Sequence, residues 1–336
     1  MSVLIRVDAS VEIGLGHAKR CLALAEGLTA YFNSITILYH QMPKLMRQEF
    51  ESKGICCQSL GIKQWSETTD AKATKVIIKE QGEFPLLIVD HYLLGIDWEK
   101  MLRPMVRGMI VIDDWGDRKH DCDILIDQNL CDDPDQRYKR LLPDYCKRLI
   151  GHEYAILNQD ILNLKEKRSV SKRGLISFGG SYHPEVKKVL KAVSMIKLDW
   201  EWDLILGMIS DEDYEDVMKL VPDHVNVHCY VDNMHDFLIK AKLCIGASGS
   251  SNWERFYLGI PSIISPLSDD QVPIAEVIQT HDLACVVPES SVSTFLDYQL
   301  FIEGFNEYKL CYYSEKTKYL IDGKGIERIC QAIQIL

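Results

Sequence analysis

Apolar residues in this chain come in short runs separated by longer amphipathic stretches. Strand-length runs stand at "VLIRV", "SITILY", "PLLIVD", "GMIVID" and "DILID", with helical periodicity between most of them. A polar, basic run, "NLKEKRSVSKR", follows "CKRLIGHEYAIL" and interrupts the alternation. The pattern then restarts at "GLISFGG", "DLILG", "VNVHC", "LCIGA" and "PSIIS". Strands alternating with helices twice over predict an α/β chain of two doubly wound, Rossmann-like domains. The basic run sets the expected boundary, giving an N-terminal domain over 1–165 and a C-terminal domain over 166–336. The second domain is expected to finish with closing helices, the last of them the amphipathic "GIERICQAIQIL".

Length and charge sharpen this picture. A chain of 336 residues is long for one core and suits two domains. Its net charge of −11 argues against a broad nucleic-acid or membrane-surface footprint, which needs clustered Lys and Arg. A small anion held by backbone amides and a few local cations remains compatible with that charge. The apolar runs are too short to span a bilayer, and no secretory pattern opens the sequence. The eleven cysteines are odd in number, scattered and free of any C-x-x-C pair, which favours reduced thiols over a disulfide frame or a zinc site. The expectation is a cytoplasmic protein with no nucleic-acid partner, no membrane insertion, no metal, no cofactor and no obligate protein partner.

In doubly wound sheets, ligands sit beyond the carboxyl ends of the strands, so the strand-to-helix turns are the places to search for chemistry. The turn after "VLIRV" reads "EIGLGHAKRCLALAEGL", with Gly14, Gly16 and His17 leading into Lys19 and Arg20. The third glycine of a dinucleotide fingerprint is missing. Two readings stay open. Gly14 and Gly16 can simply make a tight turn before a helix. Alternatively, the helix dipole favours a neutral imidazole at His17, a base near pH 7. Asp8, at the end of the same strand, can orient that ring or cap the loop. Lys19 and Arg20 fit a solvated helix face, although Arg20 is long enough to reach the ligand.

A second turn, in "CIGASGSSNWERFYLGIPSII", carries Ser248, Gly249, Ser250 and Ser251 at a helix start, with Glu254 in its first turns. Small residues and hydroxyls there suit either an anion pocket or an ordinary serine-rich N-cap. In the first case Glu254 would accept hydrogen bonds from two neighbouring ribose hydroxyls.

The stretches "IRVDASVEIGLGHAKRCLALA", "LIVDHY", "VIDDWGDRKHDCDILIDQN", "GHEYAIL", "SFGGS" and "GASGSSNWERFYLGIPSI" occur in this order. Together they resemble the UDP-sugar hydrolases of pseudaminic acid synthesis and the related spore-coat polysaccharide proteins. The resemblance implies a two-domain GT-B fold with an interdomain cleft, and a UDP-sugar as the partner. It further implies release of UDP from UDP-2,4-diacetamido-2,4,6-trideoxy-β-L-altropyranose by inverting attack of water at the anomeric carbon. His17 then takes the family's general-base position, and Tyr92 of "VDHY" matches an active-site tyrosine whose alternative is half-buried packing. The Gly180–Ser181 turn and the Ser250–Ser251 helix start would stabilise charge developing on the diphosphate. UDP leaves readily, so the paired carboxylates of ordinary glycosidases are dispensable. Asp90 and His91 read as loop hydrogen-bonders, "DDWGDR" as a shaper of the cleft, and the tryptophans mostly as packing.

Three positions depart from the family pattern. Asp270–Gln271 stands where Asn–Gln is usual, replacing a donor–acceptor with an acceptor-only group. Tyr182 in "GGSYHP" replaces a short acid, and Asn158 follows "YAIL" where Arg is common. Two rival functions stand beside hydrolysis: a GT-B glycosyltransferase using an acceptor alcohol, and a noncatalytic nucleotide-sugar-binding protein.

Overall fold

The computed structural model describes residues 2–10, 13–81, 85–231 and 233–336. They form two compact units, one made of residues 1–158 with 324–336 and the other of 159–323.

Unit 1 is built on a parallel sheet of seven strands in the order β3-β2-β1-β4-β5-β6-β7. These are β1 (Ser2–Val7), β2 (Ser34–Tyr39), β3 (Cys56–Ser59), β4 (Leu86–Asp90), β5 (Gly108–Ile112), β6 (Ile124–Asp127) and β7 (Lys147–Ile150). The central strands are covered on both faces, which is why they read as continuous apolar runs: Val3, Leu4, Ile5, Leu87 and Ile88 are fully buried. Chain order reverses direction between β1 and β4, so the ends of these two strands flank the switch point where doubly wound sheets bind ligands.

One charged residue breaks the apolar run of β1. Arg6 is completely buried, and its guanidinium donates to Asp8 (2.6 and 2.8 Å) and to Asp70 (as short as 2.6 Å). Asp70 also accepts from the indoles of Trp65 and Trp98, at 3.0 and 2.9 Å. Asp8 accepts the main-chain N–H groups of His40 and Gln41, which ties the exit of β1 to the exit of β2.

Unit 2 repeats the plan with six parallel strands in the order β10-β9-β8-β11-β12-β13. They are β8 (Arg173–Ser177), β9 (Glu201–Ile205), β10 (Val225–His228), β11 (Leu243–Ala247), β12 (Ser262–Ser265) and β13 (Cys285–Val286). Its switch point lies between β8 and β11.

The expected domain division is corrected in two respects. The basic run is no loose linker: Arg168 donates to the carbonyls of Leu258 and Gly259 at 3.1 and 3.0 Å, strapping the segment onto unit 2. The helix Gly325–Gln334 belongs to unit 1, although the sequence placed it with the second domain. Ile326 packs so closely on the helix Gly16–Leu28 that a Cβ at Gly27 would lie 2.3 Å from its Cγ2. Arg328 donates to the Glu153 carbonyl at 2.8 Å, and Arg107 to that of Leu336 at 2.8 Å. Periodicity identified an apolar face but carried no information about which sheet receives it. No helix among the described residues is long and apolar enough to cross a membrane.

Replacing Arg6 should leave Asp8 and Asp70 facing each other without their cation. Arg6→Met is expected to cost about 3–5 kcal/mol of unit 1 stability near neutrality, the range for breaking a buried ion pair. Burial opposes ionisation of Asp8, but hydrogen bonds from His91 and Arg6 and the Arg6 charge hold its pKa below the usual carboxylate range. A depressed folded-state pKa stabilises above the unfolded value and is lost as pH falls, so the variant's deficit should shrink below about pH 4. Denaturant unfolding at pH 7 and pH 3 checks this; an equal deficit at both would remove the electrostatic explanation.

Candidate active site

The turn after β1 is shaped by Gly14. Its N–H donates to the Ser10 carbonyl at 2.9 Å, and its φ of +82° is a backbone conformation side-chain-bearing residues rarely adopt. Gly16 then opens the helix Gly16–Leu28, placing His17 in its first turn at the switch point. The His17 ring is 11% exposed, with Nδ1 at 2.6 Å from Oδ1 of Asp90, the last residue of β4. Arg20 Nη2 lies 3.0 Å from the same ring nitrogen. A guanidinium cannot accept, so the carboxylate is the group that takes the imidazole N–H. That assignment leaves the Nε2 lone pair available as a base.

Asp90 is fully desolvated and shared. Arg20, one helical turn beyond His17, donates through Nε and Nη2 to its two oxygens, each at 2.6 Å. Burial alone would raise the Asp90 pKa; the Arg20 charge and the hydrogen bonds from Arg20 and His17 outweigh it and hold the carboxylate well below its usual range. Arg20 also donates through Nη1 to Asp114 at 2.6 Å. Asp114 accepts from Tyr92 Oη at 3.2 Å and from Asn129 Nδ2 at 3.0 Å. Tyr92 stands edge-on to His17, ring centroids 4.5 Å apart at 85°. Groups from the exits of β1, β4, β5 and β6 thus fix one imidazole. Arg20 is buried in this network, while Lys19 pairs with Glu49 at the surface.

Asp8 does not orient His17. Arg6 and Asp8 are two apart and share the sheet face that meets Asp70, so the Asp8 carboxylate is taken up by Arg6 and lies 3.3 Å from His91 Nε2. The sequence reading takes Asp90 for a loop hydrogen-bonder and Asp114, within "DDWGDR", for a shaper of the cleft, and does not single out Asn129. Each lies at or just past a strand end, in "LIVD", "VIDD" and "LIDQN", which is the signal that could have found them.

In unit 2 the two expected loops lie at the switch point, one after β8 and one after β11. The β8 loop is zipped to the chain after β9: Met208 donates to the Gly180 carbonyl at 2.8 Å, and Tyr182 donates to the Met208 carbonyl at 2.9 Å. Gly207, with φ +71°, approaches so closely that a Cβ would meet the Gly180 carbonyl at 2.5 Å. Ser181 Oγ is buried without a hydrogen-bond partner among the described residues.

Ser248 is fully buried, with its N–H donating to Gln271 Oε1 and its Oγ to the Gln271 carbonyl, both at 3.2 Å. Leu267 N–H donates to the same Oε1 at 3.2 Å. Ser248 and Gln271, expected as ligand contacts, therefore clip the loops after β11 and β12 together. Gly249 and Ser250, outside that clip, are half-buried and exposed. Ser251 begins the helix Ser251–Tyr257, and Glu254 lies half-buried one turn along it. Asp270 sits half-buried in the turn Asp269–Gln271. Among the described residues no three His, Cys, Asp or Glu side chains are gathered as metal ligands.

No protein-family model matches the chain. Over 258 residues, 75% of this chain and 87% of the relative, it is 24% identical to the UDP-2,4-diacetamido-2,4,6-trideoxy-β-L-altropyranose hydrolase of Campylobacter jejuni. It is also 24% identical over 280 residues, 79% of this chain, to an uncharacterised protein of Methanocaldococcus jannaschii, of which the match spans 55%. The fold aligns over the whole chain with the UDP-GlcNAc 2-epimerase of Neisseria meningitidis, at TM-score 0.69 and 13% identity and covering 100% of that structure. MurG of Acinetobacter baumannii aligns over 100% of this chain and 99% of its own, at TM-score 0.66 and 14% identity. Such identities speak for the fold alone: two Rossmann-like domains of the GT-B class.

Proposed function

We propose that the chain is a nucleotide-sugar hydrolase, releasing UDP from a UDP-2,4-diacetamido-2,4,6-trideoxyhexose by inverting attack of water at the anomeric carbon. The observation that carries this is the His17–Asp90 pair at the switch point of unit 1: an imidazole held through Nδ1 by an ionised carboxylate. The sequence similarity to a hydrolase of that substrate class supports the choice of reaction.

In this scheme Nε2 of His17 takes a proton from water as the water oxygen bonds to the anomeric carbon. The bond from that carbon to the β-phosphate oxygen breaks, and its electron pair leaves on UDP. Asp90 steadies the imidazolium so formed, Arg20 keeps Asp90 ionised, and Tyr92 and Asp114 fix the ring. The Gly180–Ser181 turn and the Gly249–Ser251 segment take the diphosphate through main-chain N–H groups, and Glu254 takes the ribose. A glycosyltransferase with an acceptor alcohol in place of water is the second reading, which the shared fold accommodates equally. UDP release from UDP-sugars without any acceptor separates the two, and a protein that binds UDP-sugars yet never turns them over, with or without acceptors, would be a binding protein.

His17→Ala is expected to lower kcat by about a hundredfold to ten-thousandfold while UDP still binds, because the base and the nucleotide are assigned to different units. Asp90→Asn should fall in the same range by favouring the wrong tautomer. Near wild-type turnover in either variant would make that residue structural.

Activity should survive exhaustive EDTA treatment, since main-chain N–H groups are assigned the diphosphate. Loss restored only by magnesium or manganese would overturn that assignment.

Glu254→Ala should weaken UDP binding by roughly 1.5–3 kcal/mol, the scale of a lost charge-assisted hydrogen bond. Asp270→Asn should leave UDP affinity nearly unchanged and alter discrimination among UDP-sugars. Calorimetry with UDP and with intact UDP-sugar checks both; equal changes for the two ligands in Asp270→Asn would move that residue to the nucleotide.

A further inference from the structure

Of the six tryptophans, Trp98, Trp202 and Trp253 are buried, and Trp65 and Trp200 half-buried. Trp115 is the exposed one at 39%, within the "DDWGDR" stretch read from the sequence as a shaper of the cleft. Its exposure does not come from a loose loop. On one side the Asp114 side chain is tied to Arg20, Tyr92 and Asn129, and its carbonyl accepts from Arg137 Nη2 at 2.6 Å. On the other, Gly116 takes φ +62° and donates to Asp113 at 2.8 Å. The main chain is pinned on both sides, and the indole keeps more than a third of its surface open to solvent, forgoing part of the burial that a large aromatic ordinarily gains.

Trp115 also continues the aromatic contacts that start at the base. Its ring meets Tyr92 edge-on at 5.7 Å and 79°, and Tyr92 meets His17 in the same manner. Leu93, next to Tyr92 in the chain, is 67% exposed, and Ile13, at the Gly14 turn, 42%. The charged groups nearby, Arg20, Asp90 and Asp114, are bonded to one another and turned inward. Trp115, Leu93 and Ile13 are large apolar side chains left exposed on the segments that carry or adjoin the base, while the nearby Asp117 and Arg118 pair with each other at 2.9 Å.

We propose that Trp115 is the specificity-determining residue of unit 1, an aromatic platform that contacts the sugar and favours deoxy and acetamido methyl groups over hydroxyls. The identity of the ligand rests on the hydrolase reading above; the role of the indole rests on its pinned exposure and on its ring contact with Tyr92, which packs on His17.

The test compares wild type, Trp115→Ala and Trp115→Phe on a UDP-2,4-diacetamido-2,4,6-trideoxyhexose and on UDP-GlcNAc. Trp115→Ala is expected to raise KM for the deoxy substrate about ten- to a hundredfold, the range for methyl-sized discrimination, with a smaller change in kcat. Inhibition by UDP and thermal melting should not move, and Trp115→Phe should restore most of the loss. Unchanged KM and unchanged discrimination in Trp115→Ala overturn the proposal. A second arm titrates wild type and Trp115→Phe with the free diacetamido-trideoxy sugar and follows indole fluorescence, the expected signal being present only in wild type. If wild type cleaves no UDP-sugar but keeps the Trp115-dependent signal, the hydrolase reading fails and the platform stands. Absence of both turnover and signal overturns the platform as well.

Discussion

A carboxylate at the end of β4 is held between a guanidinium and an imidazole, away from water. An isolated charge in that position would be neutralised, because burial of an unpaired ion costs several kcal/mol. Arg20 prevents this at Asp90, and Asp90 in return fixes which nitrogen of His17 carries the proton. Arg20 needs a second anion because its guanidinium has donors beyond those Asp90 accepts, and Asp114 supplies it. Tyr92 and Asn129 then satisfy Asp114. Each group is present because its neighbour would otherwise be an unsatisfied buried charge, so the geometry around the imidazole is over-determined.

Unit 2 achieves order by other means. At its switch point the main chain is brought close by glycine. Gly207 lets the chain after β9 touch Gly180, and at Gly246 a Cβ would lie 2.2 Å from the Ser177 carbonyl, which sets β11 tight against β8. Gln271 then bridges the loops after β11 and β12. The first unit is fixed at its switch point by placed charges, the second by main chain brought close.

Much of the fold was legible because strands buried on both faces are necessarily apolar runs, as "VLIRV" and "PLLIVD" are. The strands that escaped, β3 "CCQS", β7 "KRLI" and β13 "CV", lie at sheet edges, where one side is exposed or the strand is very short. His17 stood out because Gly-x-Gly-His at a strand exit is uncommon chemistry. Its partner was misplaced because Asp8 and Asp90 both end strands next to each other in the sheet, and only the facing of side chains separates them. Arg6 carried the missing clue: a cation inside a central strand requires an acid on its own face, and Asp8 is two residues on. The place of Asp114 past a strand end was legible, but its bond to Arg20 was not, since that bond joins positions 94 residues apart.

The packing of Gly325–Gln334 on Gly16–Leu28 has a bearing on how the chain matures during synthesis. Domains generally fold as units while the polypeptide is being made, earlier ones first. Here the order is inverted for one of them. Residues 159–323 can complete their sheet as soon as they emerge, while the helix bearing His17 waits for a segment translated after all of unit 2. A ribosome stalled inside the second unit would thus carry a nascent chain whose first helix still exposes the groove at Gly27. His17 would acquire its final setting only after the whole of unit 2 has been made, so termination within unit 2 would leave the helix that bears it without its packing partner.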